Sequence, residues 1–372
     1  MADHLHIVSF DIPCPADYGG VMDVYYKIKA LHKMGVKVHL HCFEYGRDHQ
    51  KALNEICEEV FYYKRNEGHK GFSLQYPYIA ASRNDDELWK RLNADEHPVL
   101  LEGVHSTFGL ISGALTKKNV AIRLHNVEYE YYHQLGAWEK SLLKKAYMHN
   151  ESRLLKRYEQ QLIAYPIIAL SEKDAAHYKK VLKAKNIHFI PPFIANELVT
   201  SKEGLGTFAL YHGNLSVAEN EKAATWLLEK IFNELEIPLV VAGKNPSARL
   251  VELAHVQQHT CIVENPGDAE LNDLIHKAQL HILPSFTESG IKFKLLNAVF
   301  NGRHVIANNE MLKGTHLEKA CQAANNNTEM KYHAFRLFHK KFTDDDIQIR
   351  QGLLSQHYNN AENAKKLMNV LQ

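Results

Sequence analysis

The chain lacks an excess of charge of either sign: 44 Lys and Arg stand against 43 Asp and Glu. A net charge of +1 gives no broad field for nucleic acid, so no nucleic-acid partner is expected and any anion site has to be local. The five cysteines, Cys14, Cys42, Cys57, Cys261 and Cys321, show no C-x-x-C spacing. That argues against a disulfide framework or a zinc knuckle and suits a reducing compartment, so a cytoplasmic location is expected. No apolar run approaches the length of a membrane span. "MADHLHIVSF" has no charged segment followed by a long apolar run, so no signal peptide is expected. Histidine is abundant, at 24, but dispersed, with no H-E-x-x-H or similar ligand grouping. Surface or packed histidines are therefore expected, and no metal site. Tandem repeats and low-complexity tracts are absent.

What is present is an alternation of short apolar runs with amphipathic segments. "HLHIVSF" (4–10) reads as a strand, Val21, Val24, Tyr25, Ile28 and Leu31 mark a helix face, and "VKVHLHCF" (36–43) reads as the next strand. This is the β-loop-α-β unit of a parallel sheet. Further strands are expected at 97–104, 119–126, 165–171 and 186–193, with a long helical region at roughly 128–163. Irregular structure is expected over 44–96. The run "IPPFIANELVTSKEGLG" reads as a linker. After it come strands at 207–214, 237–245, 260–266, 280–285 and 304–309, separated by helices over 219–233, 246–255, 268–278 and 291–301. The expected architecture is α/β, with two Rossmann-like domains, 1–195 and 205–345, facing a central cleft. A C-terminal helix, 346–372, is expected to pack back toward the first domain. Ligands in open parallel sheets bind beyond the carboxyl ends of the strands, so the loops there carry the search.

The loop "LPSFTESGIKFKLLNAVF" enters a helix near Gly290 or Ile291, where free N–H groups and the helix dipole favour a phosphate. Lys292 and Lys294 put positive charge in that first turn, which is unfavourable without an anion. Solvated surface lysines are the alternative, and the stretch alone leaves both readings open. Gly213-Asn214 in "YHGNLSVAEN" occupies the first β-α turn of the second domain, and Lys244 in "VVAGKNPSARL" ends the next strand. Each also reads as an ordinary turn or loop tip. In the first domain Gly19-Gly20 precede a helix, without the spacing of a dinucleotide fingerprint, which counts against a nicotinamide oxidoreductase. His125-Asn126 and Glu102 follow neighbouring strands, where a His can hold or move a proton at a sugar hydroxyl. A packed histidine is the plainer alternative. The basic helix "EKSLLKKAYMHNESRLLKRYEQQL" reads as a solvated face or, less favoured, as contact with an anionic lipid surface.

Together these pieces resemble a family. The loop Pro15 to Gly20, the "HN" after a strand, "IIALSEKDAAHY", "IHFIPPF", "YHGNLSVAENEKA", "VVAGKNP" and "VENPGDAELNDLIHKAQLHILPSF" cover nearly the whole chain. With "SGIKFKLLNAVFNGRHVIAN" they resemble the GT-B-fold glycosyltransferases, in particular the large retaining family-four-like group, in its variant with a G-x-K-x-K-x-L-(E/N)-A donor loop. The resemblance implies sugar transfer from a nucleotide-diphospho-sugar co-substrate to a glycan or lipid-linked acceptor, with retention and without a metal or other cofactor. It implies catalysis at His125 and Glu288. It places donor contacts at Gly20, Gly213, Asn214, Lys244, Ser289, Gly290, Ile291, Lys292, Lys294 and Asn297. Acceptor contacts fall at Tyr18, Gly19, Glu102 and Asn126. Asn214 stands where many members carry an Arg, and Asn297 where they carry a carboxylate. These departures raise a second reading, a GT-B scaffold that binds without turnover.

Overall fold

The computed structural model describes residues 3–139, 141–287 and 290–371. Two units divide the chain. The first is Met1–Ala195 with Ser289–Ile291 and Tyr358–Gln372; the second is Asn196–Glu288 with Lys292–His357.

The first unit is built on seven strands: β1 (His4–Ser9), β2 (Lys37–Glu44), β3 (Glu59–Lys64), β4 (Val99–Glu102), β5 (Val120–Leu124), β6 (Ile167–Ala169) and β7 (Ile187–Phe189). They lie in the order β3-β2-β1-β4-β5-β6-β7, every neighbouring pair parallel. A parallel sheet is covered on both faces, which is why its central strands read as near-continuous apolar runs. On one face Leu5, Ile7, Val38 and Leu40 pack against Val24, Ile28 and Leu31 of the helix Gly19–Lys33. The helix Asn360–Leu371 adds Ala364, Leu367, Met368 and Leu371 to the same cluster. Asn360 fixes its start, accepting from Ile194 N (3.1 Å) and donating to Ile194 O (2.8 Å). On the other face Val8, Phe43, Val99 and Leu101 pack with Trp89, Leu155 and Tyr158.

The irregular structure expected over 44–96 is present but interrupted by β3 and by a helix, Asp86–Leu92, capped by the Asp85 side chain. The edge strand β3 escapes the pattern because "EVFYYK" is half-buried aromatic rather than a run of aliphatic residues. The helical region 128–163 is two helices, Glu128–Trp138 and Leu142–Leu162.

The second unit holds six strands: β8 (Ala209–His212), β9 (Leu239–Gly243), β10 (Thr260–Glu264), β11 (Leu280–Leu283), β12 (His304–Ala307) and β13 (Gln322–Ala323). Their order is β10-β9-β8-β11-β12-β13, again all parallel. Ser247 caps the helix Ala248–Ala254 by accepting from Leu250 N, so Pro246 precedes the cap rather than entering the first turn. The stretch read as one helix, 346–372, is two. The helix Asp344–His357 stays with the second unit, where buried Arg350 donates to Val299 O (2.7 Å) and Gly302 O (2.6 Å). Both sheets are doubly wound, so the α/β class with two Rossmann-like domains is borne out.

Candidate functional site

In the first unit a chain of buried charges runs to the carboxyl ends of β4 and β5. Asp23, on the helix Gly19–Lys33, accepts from Arg123 Nε (2.7 Å) and Nη2 (2.8 Å) and from Phe193 N (2.8 Å). Lys27, one turn on, pairs with Asp23 (2.9 Å) and with Glu102, whose other oxygen meets His125 Nε2 at 3.0 Å. Asp23, Lys27, Glu102 and Arg123 are fully buried. Burial pushes the two carboxyls up, but Arg123 and Lys27 at Asp23, and Lys27 and His125 at Glu102, outweigh it and hold both below their ordinary values. Burying a charge is tolerable when each partner is met in good geometry, as here. Asp23, Glu102 and His125 have the donor types of a metal group, but the Lys27 ammonium already sits against both carboxylates. Beside this chain, burial raises Glu128 to about 7, with Asn126 Nδ2 donating to its Oε1 at 3.3 Å.

The second unit is different. Lys294, in the first turn of the helix Phe293–Asn301, donates to Asn220 Oδ1 (2.8 Å) and Tyr211 OH (3.0 Å) and lies 4.8 Å over the Tyr211 ring. Among the described residues no carboxylate lies within ion-pair distance of its Nζ. Burial lowers it to about 8, against the pull of Glu219. Glu219, at the start of the helix Ala218–Trp226, accepts from Ser285 Oγ and Thr287 Oγ1, both at 2.7 Å. Burial raises its carboxyl, and Lys292, the two hydroxyls and Lys294 together bring it below the usual range. His212, at the end of β8, is kept neutral at about 3 by burial and by Lys294. The carboxyl edge of this sheet is also tightly closed. A Cβ on Gly243 would lie 1.8 Å from Gly213 O, so only glycine fits where β9 passes β8. A half-buried cation without a carboxylate in contact among the described residues, set among hydroxyl and amide oxygens at a sheet's carboxyl edge, is suited to an anionic ligand.

Residues 207–332 match the sequence profile of the glycosyl transferases group 1 family. That segment, about a third of the chain, is similar to a group 1 glycosyltransferase domain. It resembles an uncharacterised 44.6 kDa protein in the cps region of Klebsiella pneumoniae, 26% identical over 333 residues, with 83% of this chain and 84% of that protein covered. Among solved structures it resembles sucrose-phosphate synthase from Thermosynechococcus elongatus, at TM-score 0.71 and 12% identity, covering 99% of this chain and 98% of that one. A Staphylococcus aureus TarM mutant in complex with fondaparinux, α-GlcNAc-glycerol and UDP matches at TM-score 0.69 and 11% identity, with both chains fully covered. The fold is that of the GT-B glycosyltransferases, and the expectation of a glycosyltransferase is borne out at that level.

The second unit brings together some of the residues expected from sequence to contact a donor. Lys294 and Asn297 lie three residues apart on one helix, Asn297 half-buried. That helix starts at Phe293 with Lys292 as its cap residue, so its first-turn amides are those of Phe293 and Lys294, not of residues 289–291. Gly290 and Ile291 lie two and one residues ahead of the cap. Gly290 groups with the first unit and has φ +71°, and a Cβ there would meet Asn126 Oδ1 at 2.1 Å. Glu288 and Ser289 lie outside the described residues. Asn214 is exposed and closes its own turn, accepting from Ser216 N (3.1 Å) and Oγ (2.7 Å). Its carbonyl accepts from Asn220 Nδ2 (2.8 Å), which ties the Gly213-Asn214 turn to the residue that holds Lys294. Lys244 is exposed just past β9.

In the first unit Glu102 requires correction. It is fully buried between Lys27 and His125, so it orients His125 rather than meeting an acceptor. Tyr18 donates to Asp11 Oδ2 (2.7 Å) and is held by Arg47 over its ring. Gly19 opens the helix behind it, and at Gly20 a Cβ would press on the Phe10 ring at 2.7 Å. Sequence reading missed Asp23, Lys27 and Arg123, and in the second unit Tyr211, Glu219, Asn220, Ser285 and Thr287. One signal was available: Arg123 stands inside the apolar run "VAIRL", where a charge implies a buried partner.

Proposed function

We propose that the protein transfers a sugar from a nucleotide-diphospho-sugar, bound by the second unit at Lys294 and Glu219, to a glycan or lipid-linked saccharide, with retention and without a metal. The observation that carries this is the half-buried Lys294, whose ammonium donates to an amide and a phenol oxygen with no carboxylate at ion-pair distance among the described residues, inside the segment that matches the family. In the transfer the bond from the sugar's anomeric carbon to the β-phosphate oxygen breaks, and a bond to an acceptor hydroxyl oxygen forms. Negative charge develops on the departing β-phosphate oxygen, which takes up the hydroxyl proton. Lys294 and Lys292 oppose that charge, and such preorganised electrostatics supply the largest share of most catalysis. Glu102 holds His125 in one tautomer for a sugar hydroxyl. TarM's complex with UDP and saccharides supports the donor and acceptor classes, and the K. pneumoniae relative's place in a cps region supports a polysaccharide setting.

A peripheral membrane contact belongs to the same reading. Leu142 and Leu143 are 82% and 85% exposed beside Lys144 and Lys145, and no helix among the described residues is long and apolar enough to span a membrane. Thermal-shift screening of UDP-, GDP-, ADP- and dTDP-sugars against wild type and Lys294→Ala tests the donor site. One sugar nucleotide should stabilise the wild type and lose most of that effect in the variant. Equal stabilisation of both proteins would remove the diphosphate from Lys294. Binding without transfer across an acceptor panel would leave the scaffold reading standing in its place. Proton NMR of the product's anomeric centre reports retention, and activity in EDTA reports the role of metal.

A further inference from the structure

We propose that His4, His39 and His97 form a binding site for a divalent transition metal, zinc in the first instance, at the amino-terminal edge of the first sheet. The dispersal of histidines along the sequence hides this grouping, because it is made by register. β1 and β2 pair in parallel with His6 opposite His39, so the H-x-H runs 4–6 and 39–41 lie on one face. His97, two residues before β4, joins them there. One ring nitrogen from each of His4, His39 and His97 lies within 4.8 Å of the others. All three are half-buried, open to an ion yet held in place. They sit at the opposite end of the strands from Glu102 and His125, so the site is structural and separate from sugar transfer.

The hydrogen bonds prepare these rings as ligands. Glu59 Oε2 lies 2.7 Å from His39 Nδ1, so an ionised Glu59 holds the proton on Nδ1 and leaves Nε2 with its lone pair. A carboxylate on the far nitrogen is the usual outer support of a metal-bound histidine. His39 Nε2 in turn faces His4 Nδ1 at 2.8 Å. Two nitrogens bound to one tetrahedral zinc at 2.0–2.1 Å stand roughly 3.3–3.4 Å apart. Zinc therefore takes the place of the proton shared by His4 and His39, opens the pair slightly, and sends that proton to the other nitrogen of His4. The His97 ring, stacked on His4 at 4.6 Å, turns about its side-chain bond to aim a lone pair at the ion. Its backbone is anchored for this by Asp95, which accepts from His97 N (2.9 Å) while pairing with Lys117 (2.7 Å) and His6 (3.0 Å). His6 and His41 close the layer behind, linked at 2.9 Å, with His41 on Tyr63 OH. Three protein nitrogens leave a fourth position for water.

The test uses the full chain without a histidine tag. Titration with zinc should give one tight equivalent, and cobalt in its place should show the intense visible bands of a tetrahedral site. His97→Ala should abolish that equivalent. Glu59→Gln, which removes only the outer support at an exposed carboxylate, should weaken it about 10- to 100-fold. His276→Ala, a half-buried control on another element, should change nothing. Absence of a stoichiometric equivalent in the wild type overturns the proposal, as does an equivalent that survives both His97→Ala and Glu59→Gln with the fold intact by circular dichroism.

Discussion

The two units place charge at their carboxyl edges in opposite ways. In the first, Arg123, Asp23, Lys27, Glu102 and His125 form a closed series in which each buried charge touches its opposite. In the second, Lys294 is half-buried and rests on a phenol and an amide, while Glu219 is turned to two hydroxyls. The first arrangement is complete by itself and holds an imidazole in place. The second, on the proposed reading, is completed by an anion. Folding favours the first kind of site, and binding favours the second, because an uncompensated buried cation is a cost that a ligand relieves.

The largest expected effect breaks this comparison directly. Asp23→Ala leaves Arg123 and Lys27 buried without their shared carboxylate, and should cost about 3–5 kcal/mol in chemical denaturation. Lys294→Met, which replaces an ammonium by an apolar group of similar length, should be neutral or stabilising in the same assay. Equal destabilisation by both would show that Lys294 is a structural ion like Lys27.

A second prediction uses pH. Burial holds Glu128 at about 7 against an ordinary 4.5, so its contribution is full below 4.5 and lost as pH rises through about 7. At most about 3 kcal/mol of the first unit's stability leaves by this route. His212 runs the other way: its folded value of about 3 lies below the ordinary 6.5, so its contribution is present above 6.5 and lost as pH falls toward 3. Hydrogen exchange resolved to peptides of each unit should show the segment around Glu128 loosening from pH 6 to 8. The segment around His212 should hold over that range and loosen on acidification. Parallel behaviour of the two segments would contradict the assignment.

The strands were legible because parallel sheets buried on both faces leave apolar runs, as in "LHILPS" and "VVAGKN". The loop before the helix Phe293–Asn301 drew attention because Lys292 and Lys294 are costly at a helix start without an anion. Glu219 was not, since an acid in the first turn of a helix is ordinary and only tertiary packing brings it to Ser285 and Thr287. Glu102 was placed on the right edge and given the wrong task, because a strand-end position says nothing about which neighbour covers the side chain. The grouping of histidines was hidden for the same reason: His4 and His39 are 35 residues apart and meet only through strand pairing.

A third prediction concerns binding itself. If the second unit is completed by an anion, Lys294→Met should weaken the sugar nucleotide that the thermal screen selects by roughly 10- to 100-fold, the range of one charge-assisted hydrogen bond. Asn220→Ala should weaken it less, since Tyr211 still positions the ammonium. Calorimetric titration of the three proteins orders these effects. A larger loss from Asn220 than from Lys294 would move the recognition to the amide and away from the charge.

The smallest effect is the sharpest test of the contrast. Lys294 is held at about 8 in the free protein, below an ordinary 10.5, so near pH 8 about half the molecules carry the charge. A diphosphate beside Nζ favours the charged form and raises that value again. Binding at pH 8 should then take up about half a proton, and binding at pH 6.5 almost none. Calorimetry in buffers of different ionisation enthalpy reads this number directly. The uptake should vanish in Lys294→Met even where residual binding persists. Lys27 is paired with Asp23 and Glu102 in the first unit, so variants around it should leave the uptake unchanged. Uptake that persists without Lys294 would place the titrating group elsewhere and remove the uncompensated cation as the feature that separates the two units.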